Sequence, residues 1–155
     1  MKPVNYPKAM REVNNPQKLN CVLLVDDDPT TIFLHRWVID RMQLAHQVKS
    51  ANDGQEALKL LAQNEEQTND QVPDLILLDI NMPVMNGWEF LDAYEKQNIA
   101  GSLPLVIMVS TALPTEGQQK AAKKRDIPLE FLEKPLKKEN LLKVVQQHFA
   151  MNTPG

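Results

Sequence analysis

Four places in the chain carry side chains that could do chemistry, and each follows a short apolar run. Asp26, Asp27 and Asp28 stand directly behind CVLLV, and Asp79 closes LILL. Ser110 and Thr111 follow LVIMV, and Lys134 with Pro135 comes shortly after LEFL. Adjacent carboxylates held a few ångströms apart repel by up to about 4 kcal/mol per pair at an effective dielectric near 20. A divalent cation relieves that repulsion. Mg²⁺ suits such a site because it takes oxygen ligands, keeps several waters and completes its shell with a phosphate. A serine hydroxyl and a lysine ammonium are the donors that a phosphoryl group takes. Each residue alone has an ordinary explanation: a helix cap, a strand end, a solvated lysine. Their joint placement behind four apolar runs is what points to a site.

Those runs are the elements that must bring the groups together. Five short strand-like segments, 21–25, 47–51, 75–78, 105–109 and 129–132, alternate with helical patterns. The helices are expected after DDDP (Ile32, Phe33, Arg36, Trp37, Ile39), through Ala57 to Leu61, along WEFLDAYEK, from Glu116 to Arg125 with a weak apolar stripe, and from Lys138 to Phe149. Strands that are apolar on both faces and alternate with helices call for a parallel sheet covered on both sides, joined by right-handed crossovers. In such an open α/β sheet the ligand site lies beyond the carboxyl ends of the strands, where the strand order reverses. That is where the four sets of polar residues fall.

At 155 residues the chain has room for one hydrophobic core, read here as residues 20–150. Residues 1–19, with three prolines and no apolar periodicity, read as a flexible N-terminal arm, residues 64–70 (NEEQTND) as a polar loop, and residues 151–155 as a short tail. A net charge of -3 gives no general attraction to nucleic acid or to a membrane surface. The single cysteine, Cys21, allows no intramolecular disulfide, and no apolar run approaches a signal core or a membrane span. A cytoplasmic protein is expected.

The motifs LLVDDDP, PDLILLDINMPVMNGWEF, PLVIMVST and FLEKP, in that order, resemble the receiver domain of two-component response regulators, of the single-domain chemotaxis type. The resemblance implies a doubly wound (βα)5 fold of flavodoxin-like strand order 2-1-3-4-5. It implies Asp79 as the phosphoacceptor, served by a sensor histidine kinase or a histidine phosphotransfer protein. Asp26, Asp27 and Asp79 would hold Mg²⁺ together with the backbone carbonyl of Asn81. Ser110 and Lys134 would meet the phosphoryl oxygens, Pro135 would follow a cis peptide, and Phe131 would be the aromatic switch residue. Phosphorylation would reshape the surface of the fourth helix, fifth strand and fifth helix for a downstream protein target, and could drive homodimerisation. Two departures matter. Phe131 lacks the hydroxyl of the tyrosine common at that position, so gating must rest on packing. Thr111 stands where a smaller residue is common and could narrow access to the phosphoryl site.

A rival motif lies in the same stretch. Asp26 to Thr30 fits D-x-D-x-T, the nucleophile motif of haloacid-dehalogenase-type phosphatases. That scheme requires an acidic pair behind the lysine loop, and beyond Lys134 the only acid is Glu139. It also leaves Asp79 and DINMP without a role. There is no G-x-G-x-x-G, Walker loop or G-x-S-x-G, and His35, His46 and His148 have no ligand-like spacing. Gly87 is read as a permissive loop residue, and Asp28 before Pro29 as a helix N-cap. The basic residues Lys120, Lys123, Lys124 and Arg125 read as a solvated face. With only AMNTPG after Phe149, no output domain is expected, and output by protein contact follows.

Overall fold

The computed structural model describes residues 18–64, 72–97 and 103–149. The expectations for most of the N-terminal arm, for nearly all of the polar loop at 64–70 and for the tail at 151–155 lie outside those residues. Along the chain, strands and helices alternate: β1 Leu19–Val25, α1 Pro29–Met42, β2 Ala45–Ala51, α2 Gly54–Asn64, β3 Leu75–Asp79, α3 Gly87–Lys96, β4 Leu105–Ser110, α4 Glu116–Ala122, β5 Leu129–Glu133 and α5 Lys138–Phe149. All four strand pairings are parallel, and the sheet order is β2-β1-β3-β4-β5. This is the doubly wound α/β architecture that the alternating pattern predicts.

The sheet divides the interior in two because successive side chains of a strand point to opposite faces. Leu23 and Val25 of β1, Ile76 and Leu78 of β3 and Val106 and Met108 of β4 face one core, closed by Ala57 and Leu61 of α2 and by Phe90, Leu91 and Tyr94 of α3. Val22 and Leu24, Leu75 and Leu77, and Leu105, Ile107 and Val109 face the other, closed by Ile39 of α1 and by Leu141 and Val145 of α5. Both faces being covered explains why the strand runs are continuously apolar. β1 begins at Leu19, inside the stretch read as an arm, because the Leu19 N–H pairs with the Leu44 carbonyl at 2.8 Å and its side chain is buried.

Three local expectations are corrected. Helix α4 stops at Ala122 and contains no buried residue; the chain leaves the helix before Arg125. Arg125 instead forms ion pairs with Asp92, at 3.0 Å, and Glu95 of α3, while Lys123 pairs with Glu130 at 2.8 Å. Half of the supposed solvated basic face is therefore tied to neighbouring acids. Gly87 is the first residue of α3, behind an Asn86 N-cap whose side chain accepts from the Glu89 N–H while the Glu89 carboxylate accepts from the Asn86 N–H, a capping box. A Cβ on Gly87 would lie 2.9 Å from the Asp79 carbonyl oxygen and 2.7 Å from Met108 Cε. Glycine is required there for space.

Candidate functional site

Strand register builds the site. Val25 is level with Leu78, Asp79 with Val109, and Ser110 with Glu133. The residues that end or just follow these strands therefore arrive at one edge of the sheet: Asp26 and Asp27 after β1, Asp79 at the end of β3, Ser110 at the end of β4 and Lys134 after β5. Asp26, Asp79 and Ser110 are buried, while Asp27 is exposed. Asp26, Asp27 and Asp79 each offer a carboxylate oxygen, all within 4.8 Å of one another.

The third acid of the run is elsewhere engaged. Asp28 caps α1: its carboxylate accepts from the Thr30 N–H at 3.1 Å and from the Thr31 hydroxyl at 2.9 Å, with Pro29 opening the helix. In the D-x-D-x-T reading this residue would be the general acid, a role at odds with a carboxylate committed to a cap. The Asp28 N–H in turn donates to Asp26 Oδ1 at 2.9 Å, which fixes the direction of the first acid.

Lys134 Nζ donates to Asp26 Oδ2 at 3.0 Å and to Asp79 Oδ1 at 3.3 Å. Burial works to lower its pKa, but the hydrogen bond and charge of Asp26, together with those of Asp79, outweigh it and hold the ammonium protonated. The Asp79 carboxyl is pushed up, first by burial and then by the charge of Asp26, against the opposing pull of Lys134. One cation thus faces three acids, so the site carries a net negative charge that invites a second cation. The donors are all hard oxygens, and such a set fits Mg²⁺.

Asn81 links two loops. Its backbone N–H donates to Asp79 Oδ1 at 3.3 Å and its side-chain amide donates to Ser110 Oγ at 3.0 Å, an oxygen that also accepts from the Ala112 N–H at 3.1 Å. Thr111, next in the chain, is exposed at the mouth. Phe131 is only 8% exposed, turned into the core with its ring 6.1 Å from that of Trp88. The Lys134–Pro135 peptide is cis.

Sequence reasoning missed three contributors. The Asn81 side chain, expected to serve only through its carbonyl, bridges to Ser110; nothing in DINMP announces a partner 29 residues away. Trp88 opens the expected helix WEFLDAYEK, but its packing on Phe131 depends on strand order. His35 is buried on α1, where desolvation, followed by the charge of Lys134, lowers its pKa. An isolated histidine within an apolar helix pattern was the available signal.

The fold and this edge of acids, hydroxyl and lysine define a doubly wound receiver-type module. The response regulator receiver domain family model matches residues 22–146, and the chain belongs to that family. It is 29% identical over 129 residues to Protein PilH of Pseudomonas aeruginosa, covering 83% of this chain and 97% of PilH. Among solved structures, a two component response regulator from Cytophaga hutchinsonii is 28% identical with a TM-score of 0.73, covering 84% of this chain and 96% of that one. The receiver domain of the histidine kinase CKI1 from Arabidopsis thaliana, complexed with Mg²⁺ and BeF₃⁻, is 28% identical with a TM-score of 0.64, covering 82% and 89%. The chain thus carries a receiver domain of two-component signalling. Among the described residues no helix is long and apolar enough to cross a membrane.

Proposed function

We propose that the protein accepts a phosphoryl group on Asp79 from the phosphohistidine of a sensor histidine kinase or histidine phosphotransfer protein. A carboxylate oxygen of Asp79 attacks phosphorus, and the bond from phosphorus to the imidazole nitrogen breaks. Asp26, Asp27 and Asp79, with the Asn81 carbonyl, would hold Mg²⁺, which supplies charge neutralisation at the phosphoryl oxygens when bound. Lys134 pairs with the carboxylate beforehand and with the phosphoryl oxygens afterward, and the Ser110 hydroxyl donates to one of them. The complex of the related CKI1 domain with Mg²⁺ and BeF₃⁻ supports this reading. The observation that carries it is the convergence of Asp26, Asp79 and Lys134, residues far apart in the chain, within 3.3 Å contacts at one sheet edge.

The added charge, roughly 1.5 to 2 negative units, draws Ser110 and Lys134 toward the phosphoryl group. Ser110 ends β4 and leads into α4, whose residues are all at least partly exposed. The surface of α4, β5 and α5 is then the one that changes, with Phe131 packed behind it, and a downstream protein reads it. The test is incubation with acetyl phosphate and Mg²⁺, followed by intact mass. A labile phosphoryl adduct, absent in Asp79→Ala, is expected. No adduct in the wild type, or the same adduct in Asp79→Ala, overturns the proposal, and turnover of a generic aryl phosphate would point to the phosphatase reading.

A further inference from the structure

Among the described residues four large apolar side chains stand well exposed, and three of them, Phe33 at 65%, Leu34 at 52% and Trp37 at 53%, lie on α1. The fourth, Val84, stands apart in the loop before α3. Spacings of one, three and four residues put the first three on one face of the helix, between Thr30 and Arg41, which are themselves exposed about one turn further out at either end. The fold uses the other face: His35 and Ile39 are buried, and Ile32, Val38 and Met42 pack toward the core that α1 shares with α5. The three exposed side chains leave roughly 350 Å² of apolar surface in water on each chain. A contiguous patch of that size marks an interaction site.

The stripe has ends of unlike charge. Asp28 is exposed at the start of α1 and Arg41 in its last turn, with the Arg41 guanidinium 5.1 Å over the Trp37 ring. Arg36 is turned away from the stripe and donates to the Val48 carbonyl at 3.0 Å. Two such helices laid side by side in opposite directions match each other. A twofold axis between positions 34 and 37 sets Leu34 of one copy against Trp37 of the second, and carries Arg41 alongside the first turn of the second helix, where Asp28 stands. Asp40, exposed beside Arg41, then meets the positive end of that helix's dipole. A parallel pairing would set Arg41 against Arg41 and Asp28 against Asp28, so charge selects the antiparallel arrangement.

We propose that α1 is a self-association surface, on which two copies of this chain pair through Phe33, Leu34 and Trp37 with their α1 helices antiparallel. A patch complementary to itself closes a dimer and stops there. Two stripes bring together roughly 700 Å² of apolar surface, and homodimer interfaces are about 65% apolar, so the contact totals about 1,100 Å². That lies just under the range of stable interfaces, about 1,200 to 2,000 Å², and the dimer is therefore reversible, with a Kd on the order of micromolar. The Arg41 guanidinium restrains the Trp37 indole in the single chain, which lowers the cost of ordering it on association. Helix α1 covers the sheet face of the α5 core, whereas Ala122 of α4 packs toward the other core. Pairing through α1 thus leaves α4 of both copies uncovered and needs no phosphoryl group, so the dimer offers one target two copies of the same surface. The proposal stands whether or not Asp79 is the phosphoacceptor.

The experiment is sedimentation velocity on the full chain, in EDTA and without a phosphoryl donor, from about 1 to about 500 µM. A monomer–dimer equilibrium is expected. Phe33→Ser with Trp37→Ser alters only exposed positions and should raise the Kd at least about thirtyfold while the far-UV spectrum and melting temperature hold. Asp28→Asn keeps the helix cap and Arg41→Gln keeps a long polar side chain, yet each removes one charge. Each should weaken association about threefold, and the double variant no more than either alone, because both report one contact between the copies. A chain that stays monomeric throughout, a dimer that the serine variant leaves intact, or charge variants whose losses multiply overturns the proposal. So does a dimer that forms only on addition of acetyl phosphate and Mg²⁺, since association then belongs to the phosphoryl switch. A persistent monomer whose Trp37 fluorescence, read in Trp88→Phe, resists acrylamide until residues 1–17 are deleted also overturns it, by assigning the stripe to that segment.

Discussion

The side-chain amide of Asn81 donates to the hydroxyl oxygen of Ser110 across 3.0 Å, joining the loop after β3 to the end of β4. With the Ala112 N–H also donating to that oxygen, the hydroxyl is used as an acceptor and its proton is free to point at an incoming phosphoryl oxygen. Ser110→Ala leaves two donors short of a partner and removes that proton. It is expected to lower stability by about 0.5 to 1.5 kcal/mol and to reduce the steady-state phosphoprotein at fixed acetyl phosphate. Denaturant melts and intact mass measure the two effects separately, and Ser110→Thr should recover the second.

On the proposed Mg²⁺ assignment the ion should stabilise the fold, because the three carboxylates offered to it are gathered only in the folded chain. At a concentration about one hundred times its Kd the gain is about 2.7 kcal/mol, a rise in Tm of about 5 to 10 °C. Asp27→Ala removes the exposed member of the triad and should abolish most of the rise while barely changing the melt in EDTA. An equal rise in the variant would show that Mg²⁺ binds elsewhere.

Asp79→Asn should make the metal-free protein more stable at neutral pH. Burial and the charge of Asp26 raise the Asp79 pKa in the folded state, so the folded chain binds more protons than the unfolded one between the two values. That contribution to stability is present below the ordinary carboxylate range and is lost as pH rises through the raised value. Asparagine does not titrate and keeps an oxygen for Lys134, so the gain, of order 1 kcal/mol, should appear at neutral pH and vanish in acid. Urea midpoints in EDTA across that range measure it.

His35 has the opposite sign. Its folded pKa is lowered by burial and by Lys134, so the stability of the neutral form is present above the ordinary imidazole range and is lost as pH falls through it toward the folded value. The slope is at most about 1.4 kcal/mol per pH unit. His35→Leu should flatten it between the imidazole and carboxylate ranges, as read by melts in the same buffers.

Gly87→Ala should destabilise despite alanine's higher helix propensity. The new methyl meets the Asp79 carbonyl oxygen at 2.9 Å and Ile80 Cα at 3.0 Å, both backbone and unable to yield cheaply. A loss of about 1 to 3 kcal/mol is expected. Acetyl phosphate labelling should fall with it, because the displaced backbone carries Asp79.

The five strands and the residues behind them were legible because their signals are local. Continuous apolar runs mark strands buried on both faces, and Asp28-Pro29 marks a helix start from neighbours alone. The Asn81 to Ser110 bond, the Trp88 to Phe131 contact and the Arg125 ion pairs to α3 were not legible, since each joins residues that only strand order brings together. The weak stripe from Glu116 to Arg125 correctly signalled a helix with no buried side chain, but overran its end. Lys123 to Arg125 continue the polar composition, but the backbone bonds tighten there into turns, the Lys124 N–H donating to the Ala121 carbonyl and the Arg125 N–H to the Ala122 carbonyl.

The absence of any buried side chain on α4 separates two free energies that most elements of a small protein combine. Displacing a helix such as α5 would uncover Leu141 and Val145 and draw on the margin that keeps the chain folded. Moving α4 exposes little that was dry, so its position can be biased by a few polar contacts while the melting temperature scarcely responds. Substitutions on its outward surface should therefore tune signalling output over a wide range in a protein whose thermal stability stays nearly constant.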